Sequence, residues 1–204
     1  MTKIKNLLFD LGGVLLNIDY NKTAEAFKML GIKQFDDLYS QANANDLFEK
    51  LETGKISEEA FYNAIKSFCQ SQTTIIQIEE AWNAMLLNFR LESLLHLRLL
   101  AEKYTIYLLS NTNSIHHKAF IKILQNESGE KSLDDYFLKS YYSHIINRRK
   151  PYVDTFKYVL ADAKINAEET LFIDDSINNI EGAAEAGIQV HHFLTGERIE
   201  NIIL

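Results

Sequence analysis

The sequence is poor in several features that mark particular protein classes. It has one cysteine, Cys69, so no disulfide bond can form within the chain and nothing indicates an oxidising compartment. No stretch approaches the roughly 20 apolar residues of a membrane span, and Asp10 interrupts the apolar residues that follow Lys3 and Lys5, which makes a poor signal peptide. A net charge of −7 is the opposite of the basic surface that binds nucleic acids. We therefore expect a cytoplasmic protein with neither membrane nor nucleic acid as partner.

What is present suits an ordinary globular protein. Hydrophobic residues make up 47% of the 204 positions and charged residues 24%, which is enough apolar material for a core. The length allows one domain, or a core of usual size that carries an insertion. The oligomeric state is not indicated.

Apolar segments predict five β-strands, at about 4–9, 105–109, 139–142, 170–173 and 188–193. Between the first two lie about ninety residues in which we find helical periodicity only. Four stripes of apolar residues carry it: Ala24, Phe27 and Leu30; Phe61, Ile65 and Phe68; Ile78, Trp82 and Met85; and Leu91, Leu94, Leu95 and Leu99. So many helices exceed a simple crossover and predict an insertion.

After the second strand, helical and strand patterns alternate. Pro151, the only proline, is expected in the first turn of a helix, and Gly187 is expected to end another. The pattern predicts an α/β fold, a doubly wound parallel (Rossmann-like) sheet with an inserted helical cap. Residues 1–16 and 100–204 would form the catalytic core, and residues 17–99 the cap.

Carboxylates follow two of the predicted strands. Asp10 comes directly after the apolar residues 7–9, and Asp174 and Asp175 come after residues 171–173. The carboxyl ends of parallel strands meet at one edge of a sheet, where ligands bind. Three carboxylates brought together there need a cation, and a hard dication with oxygen ligands is Mg²⁺-like.

Two further polar positions are expected at the same edge. Ser110 and Asn111 follow the second strand, and Lys150 precedes Pro151. With the carboxylates they supply a nucleophile, a hydroxyl with a nearby backbone amide, a cation and metal ligands. That set suits phosphoryl transfer, which depends on positioning and charge neutralisation. Each of these residues alone would be an ordinary turn or capping residue.

Four segments together resemble the haloacid dehalogenase-like superfamily of phosphohydrolases. They occur in the family's order and are residues 9–15 (FDLGGVL), 108–112 (LLSNT), 149–151 (RKP) and 172–176 (FIDDS) with Asn179. The resemblance spans nearly the whole chain, and the helical insertion is placed like a C1-type cap. Segments 10–12, 110–113, 149–151 and 174–175 with 179–183 are similar in particular to bacterial alpha-D-glucose-1-phosphate phosphatases.

The resemblance implies a role for each of these residues. Asp10 would attack phosphorus and form an aspartyl-phosphate, and Lys150 would bridge this nucleophile and the phosphate. Ser110 and the backbone amide of Asn111 would hold phosphate oxygens. Four groups would supply Mg²⁺ ligands: the carboxylates of Asp10, Asp174 and Asp175 and the backbone carbonyl of Gly12. Asp175 would coordinate either directly or through a water molecule.

Gly12 departs from the family pattern. Most phosphatases of this superfamily have a second aspartate two residues after the nucleophile, which acts as general acid and base. Such catalysis is worth about 10² to 10⁴-fold. A sugar anomeric phosphate has a better leaving group and needs less protonation, which is consistent with a substrate such as glucose 1-phosphate. We hypothesise that solvent, the substrate or a cap residue supplies the proton.

Other functions remain open alternatives to a Mg²⁺-dependent phosphatase of small phosphate esters. A 2-haloacid dehalogenase also uses an aspartate nucleophile without the second aspartate, but has no use for the charge of Asp174 and Asp175. A phosphomutase is less favoured, because transfer back to a sugar needs the acid that Gly12 replaces. A non-catalytic phosphosugar-binding protein would keep the same binding groups.

Several conspicuous residues have structural interpretations. Arg148 and Arg149 are interpreted as surface residues. His116 and His117, like His191 and His192, are neighbours that point apart on a helix or a strand, so neither pair predicts a metal site. Trp82 is interpreted as part of the cap core, with contact to the substrate as the alternative.

Overall fold

The computed structural model describes residues 3–32 and 46–202. Seven strands lie in these ranges: β1 (Asn6–Phe9), β2 (Leu16–Ile18), β3 (Leu86–Phe89), β4 (Thr105–Ser110), β5 (Lys139–Tyr142), β6 (Thr170–Asp174) and β7 (Gln189–His192). The α-helices described are α1 (Tyr20–Met29), α2 (Asp46–Glu52), α3 (Glu58–Lys66), α4 (Ile75–Asn83), α5 (Leu91–Leu100), α6 (Ser114–Ser128), α7 (Ser143–Ile146), α8 (Val153–Ala163) and α9 (Ile177–Glu185). Short 3₁₀ turns span Leu133–Tyr136, Ala167–Glu169 and Ile199–Asn201.

The main sheet is parallel and has the order β5-β4-β1-β6-β7. Its five strands are those predicted from the apolar segments. Alternate side chains of β1 face opposite ways: Leu7 and Phe9 pack in one core cluster with helices α5 and α6, and Leu8 packs in another with α8 and α9. Helices therefore cover both faces, which confirms the doubly wound α/β fold.

A second, two-stranded sheet corrects the prediction of purely helical structure between β1 and β4. Strands β2 and β3 pair in antiparallel orientation, and the Asp19 N–H donates to the Met85 carbonyl at 3.0 Å. Arg90 N–H donates to the Leu15 carbonyl at 2.8 Å. The chain therefore leaves the main sheet and returns to it through two paired strands.

Helices α1 to α4 form their own hydrophobic cluster. Phe27, Phe48, Phe61 and Trp82 are each almost fully buried, and the Trp82 ring stacks on Phe48 with ring centres 5.2 Å apart. The interpretation of Trp82 as a core residue of these helices is confirmed. Aromatic side chains bury large apolar surfaces, so these four residues supply much of the hydrophobic core of this small helical bundle.

Helix α5 buries a different face from the one that its leucines predict. Leu94, Leu97 and Leu100 are buried, whereas Leu95 and Leu99 are 61% and 58% exposed. The buried leucines pack in the same cluster as side chains of β1 and β4. The predicted stripe is therefore wrong at two of its positions.

The division into a core (residues 1–16 and 100–204) and a cap (residues 17–99) stays a prediction. Since α5 packs with the main sheet, its packing favours a second boundary ahead of Leu91.

Pro151 does not occupy the first turn of a helix as predicted. It follows a cis peptide bond after Lys150, and α8 begins at Val153. Gly187 follows α9 with a φ of +84°, as expected for a residue that ends a helix. In the described ranges, no helix is both long enough and apolar enough to cross a bilayer.

Candidate active site

Three neighbouring strands deliver polar residues to one edge of the sheet. Asp10 follows β1, Ser110 is the last residue of β4, and Asp174 is the last residue of β6. Strand β1 lies between the other two, and the Asp10 N–H continues the ladder by donating to the Ile173 carbonyl at 2.9 Å. The predicted convergence of these residues therefore follows from the strand order.

Asp10, Asp174 and Asp175 form a cluster of carboxylates. Ligand oxygens of the three lie within 4.8 Å of one another, and it is the one group of potential metal ligands of this size among the described residues. Burial, together with the charges of Asp174 and Asp175, raises the pKa of Asp10 to about 8 against the opposing effect of Lys150. Burial and Asp174 also raise the pKa of Asp175. A bound cation would relieve this repulsion, and an all-oxygen donor set fits Mg²⁺.

Lys150 is a buried cation between two of these acids. Its side chain is 1% exposed, and Nζ lies 2.6 Å from Asp10 Oδ1 and 2.6 Å from Asp174 Oδ2. Burial disfavours the ammonium form, but Asp10 and Asp174 outweigh it and raise the pKa of Lys150. Lys150 is therefore charged and holds Asp10 in a fixed orientation.

The loop that carries Lys150 is fixed by Asn111. The Asn111 Nδ2 group donates to the Lys150 carbonyl at 2.9 Å, and the Lys150 N–H donates to Asn111 Oδ1 at 2.9 Å. Thr155 Oγ1 also donates to the Arg149 carbonyl at 2.7 Å. The Asn111 side chain thus positions Lys150, a contact that the sequence does not reveal because 39 residues separate the two.

Asp174 is oriented by the start of α9. The Ser176 N–H donates to Asp174 Oδ1 at 2.8 Å, and Asn179 Nδ2 lies 3.0 Å from both carboxylate oxygens. Such partners fix the direction in which a carboxylate offers its oxygens to a metal. Asn179, named above only as part of a motif, thereby gains a structural role.

The turn after Asp10 requires glycine. Gly13 has a φ of +75°, and a Cβ there would lie 2.0 Å from Asp175 Oδ2. At Gly12, a Cβ would lie 2.6 Å from the end of the Ile18 side chain, which is the only close contact there among the described residues. The glycine pair therefore lets the chain turn closely beside the acid cluster.

A cavity of about 450 Å³ opens over these residues. Asp10 and Ser110 line it from the strand ends of the main sheet, Lys150 lines it from the loop before α8, and Glu49 and Glu52 line it from helix α2. Ser110 is 2% exposed. The site residues predicted from the sequence therefore line one cavity, except Asp174, which is fully buried, and the cavity is also lined by residues that were not predicted.

Arg149 corrects the interpretation of the basic run as a surface patch. Its side chain is 14% exposed, lines the cavity and forms ion pairs with Glu49 and Glu52, whereas Arg148 is more exposed and pairs with Asp154. Only Arg148 has the surface position that we expected.

The histidine pairs take no part in any described group of metal ligands. His116 is buried, stacks on Trp82 with ring centres 4.8 Å apart, and bonds the Trp82 carbonyl through Nε2 at 3.0 Å. Burial lowers the pKa of His116 to about 4, so this histidine is neutral. His191 and His192 bond Glu197 and the Asp175 carbonyl separately.

The fold and the acid cluster define a hydrolase of the haloacid dehalogenase-like type. The family model for haloacid dehalogenase-like hydrolases matches residues 4–187, and the chain belongs to this family.

Named relatives of similar length exist. A D-ribitol-5-phosphate phosphatase of Bacteroides thetaiotaomicron is 32% identical over 186 residues, which cover 91% of this chain and 90% of that protein. A wild-type HAD-family enzyme of the same organism, solved with magnesium and inorganic phosphate, is 36% identical with a TM-score of 0.87, covering 98% of this chain and 100% of that one. A predicted HAD-like hydrolase of Porphyromonas gingivalis is 30% identical with a TM-score of 0.86, covering 96% and 94%.

Proposed function

We propose that this protein is a Mg²⁺-dependent phosphomonoesterase that hydrolyses a small phosphorylated metabolite, a sugar or polyol phosphate, through an aspartyl-phosphate. One observation carries the proposal: Lys150 Nζ lies 2.6 Å from both Asp10 and Asp174, in a cavity that Asp175 also lines. A buried nucleophile beside a fixed cation and a metal-binding acid pair is the arrangement that phosphoryl transfer requires.

Asp10 is the nucleophile. Its carboxylate attacks phosphorus, the bond from phosphorus to the leaving oxygen breaks, and the phosphoryl group is carried as an acyl phosphate. Water then attacks phosphorus, inorganic phosphate leaves, and the Asp10 carboxylate is restored. Lys150 keeps one Asp10 oxygen in place and reduces the repulsion between the anionic nucleophile and the anionic substrate. Ser110 and the backbone amide of Asn111 hold phosphate oxygens.

The cofactor would be Mg²⁺, which the carboxylates of Asp10, Asp174 and Asp175 and the carbonyl of Gly12 would hold. When bound, it would supply positive charge that offsets the repulsion between the anionic substrate and these carboxylates. The donor set of this chain supports the assignment, because three carboxylates with oxygens within 4.8 Å suit a hard cation. The magnesium and phosphate in the similar Bacteroides thetaiotaomicron enzyme support it independently.

Two substrates follow from different observations. The motif resemblance and the glycine at position 12 favour glucose 1-phosphate, whose leaving group needs little protonation. The relative that is a D-ribitol-5-phosphate phosphatase favours a polyol phosphate. Both are small esters of the kind found in the cytoplasm, where we expect the protein to act.

A phosphate-release screen tests this function. Sugar, polyol, nucleotide and aryl phosphates are offered with Mg²⁺, with Asp10→Asn as the inactive blank and the exposed Asp135→Asn as a matched control that keeps full activity. EDTA should abolish release. Halide release that survives EDTA would instead identify a dehalogenase, and Mg²⁺-dependent binding without any release would identify a non-catalytic binding protein.

A further inference from the structure

The cap side of the cavity contains an ion-pair group made of Arg149, Glu49 and Glu52. Arg149 Nε lies 3.1 Å from Glu52 Oε2, and Arg149 Nη1 lies 3.6 Å from Glu49 Oε2. The Arg149 and Glu52 side chains are 14% and 16% exposed, and that of Glu49 is 33% exposed. The group joins the loop of Lys150 to helix α2, and all three members line the cavity above Asp10.

Both cations of the cavity are already matched by acids of the protein. Among the described residues that line it, the charged basic side chains are Arg149 and Lys150. Lys150 is taken by Asp10 and Asp174, and Arg149 is shared by two glutamates. This part of the cavity therefore offers no uncompensated positive charge to a second anionic group on a substrate.

The pair of Arg149 and Glu52 nevertheless retains hydrogen-bonding capacity. Glu52 Oε2 and Arg149 Nε are both buried, and neither has a hydrogen-bond partner, although the two atoms lie 3.1 Å apart. An acceptor beside a donor suits a hydroxyl group, which can donate to the first and accept from the second. Buried polar atoms of this kind need a partner, and a bound substrate can supply it.

We propose that Glu52 and Arg149, assisted by Glu49, determine specificity by binding hydroxyl groups of an uncharged, hydroxylated leaving group and by excluding substrates with a second anionic group. The proposal rests on the proposed phosphatase function and specifies its substrate class. A carboxylate or second phosphate on the leaving group would have to take Arg149 from Glu52. It would leave a buried carboxylate without its cation, which is costly.

The charge of Glu52 depends on Arg149. Burial raises the pKa of Glu52, and Arg149 is the chief group that opposes this effect. The charge of Glu52 is thus tied to its arginine partner.

Two six-carbon esters that differ only at C1 test the proposal. Sorbitol 6-phosphate ends in a hydroxymethyl group and 6-phosphogluconate in a carboxylate. For the wild-type protein with Mg²⁺, we expect kcat/KM to favour sorbitol 6-phosphate by at least about tenfold, which is a fraction of the penalty for a fully buried charge left unpaired because these side chains keep some exposure. Glu52→Gln keeps the shape but releases Arg149, so the ratio should fall by about tenfold, in part through a gain with 6-phosphogluconate.

Control variants separate this effect from a general loss of structure. Glu80→Gln alters an exposed glutamate of cap helix α4 and should leave the ratio unchanged. Glu49→Gln changes a less buried partner and should lower the ratio to a smaller extent. Thermal unfolding followed by circular dichroism verifies that each variant is folded.

The outcomes distinguish this inference from the proposed function. Equal kcat/KM for the two esters, or a ratio that Glu52→Gln does not change, would overturn the inference while phosphate release upholds the phosphatase. Should no ester be hydrolysed, calorimetric binding of the same two esters to Asp10→Asn with Mg²⁺ still measures the preference. Equal affinities there would overturn the inference as well.

Discussion

Gly182→Ala should reduce activity from a position that touches no substrate. Gly182 lies in α9, and a Cβ built there falls 2.1 Å from the Pro151 carbonyl oxygen. Because real Cβ atoms essentially never come within 3.0 Å of such an atom, the Pro151 backbone and α9 must separate by about 1 Å. Pro151 directly follows Lys150, whose Nζ donates a hydrogen bond to Asp10, the proposed nucleophile.

Gly182→Ala should reduce kcat more than it reduces the stability of the fold. A misplacement of about 1 Å in a reacting group can cost about 10²-fold in rate. Overpacking costs about 1–3 kcal/mol, whereas alanine gains about 1 kcal/mol over glycine in a helix, so the net loss is about 0–2 kcal/mol. We therefore expect kcat to fall by about 10²-fold while the protein stays folded.

Phosphate release and urea unfolding measure the two quantities on the same preparations. Glu181→Ala, at the exposed neighbouring position of the same helix, is the matched control and should keep its activity. A Gly182→Ala protein with wild-type kcat would refute the argument that α9 determines the position of Lys150.

Three further predictions concern the charge balance of the site, its missing acid and a buried histidine. Lys150→Met removes the cation between two buried acids and should lower the free energy of unfolding by about 3–5 kcal/mol in metal-free urea titrations, with partial recovery on adding Mg²⁺; an unchanged midpoint would contradict this. Gly12→Asp, whose Cβ would meet the end of the Ile18 side chain, should raise turnover of alkyl phosphates more than of aryl phosphates, and equal effects would argue against a missing acid. Burial lowers the pKa of His116 to about 4, so the unfolded chain takes up a proton below pH 6.5 before the folded one does. Stability should therefore decrease from pH 6.5 toward pH 4, by an amount on the order of 3 kcal/mol that His116→Gln removes; parallel stability curves for the two proteins would contradict the assignment.

The main sheet could be predicted because each of its strands is a short apolar segment buried on both faces. Strands β2 and β3 could not, since three and four residues are too few for an alternation to be recognised and their pairing joins segments about seventy residues apart. Helix α5 is rich in leucine, so several faces look equally apolar. Packing against the sheet selects the face of Leu94 and Leu97 over that of Leu95.

The acid cluster was predictable for a related reason. Asp10, Asp174 and Asp175 end strands that lie side by side, so the strand order alone brings them together. The environment of Arg149 could not be predicted, because it depends on glutamates of a helix about a hundred residues earlier in the chain. Within a run of basic residues, nothing local distinguishes an arginine that enters a cavity from one that faces solvent.

The spacing of the main sheet also has an evolutionary consequence. Adjacent strands are held about 4.8 Å apart by backbone hydrogen bonds, and the acid oxygens that they carry lie within 4.8 Å of one another. The size of the acid cluster is thereby set by the peptide backbone, whichever side chains surround it. Helix α2 packs in a separate hydrophobic cluster. Substitutions along that helix can therefore change the substrate preference of related proteins while the acid cluster stays intact.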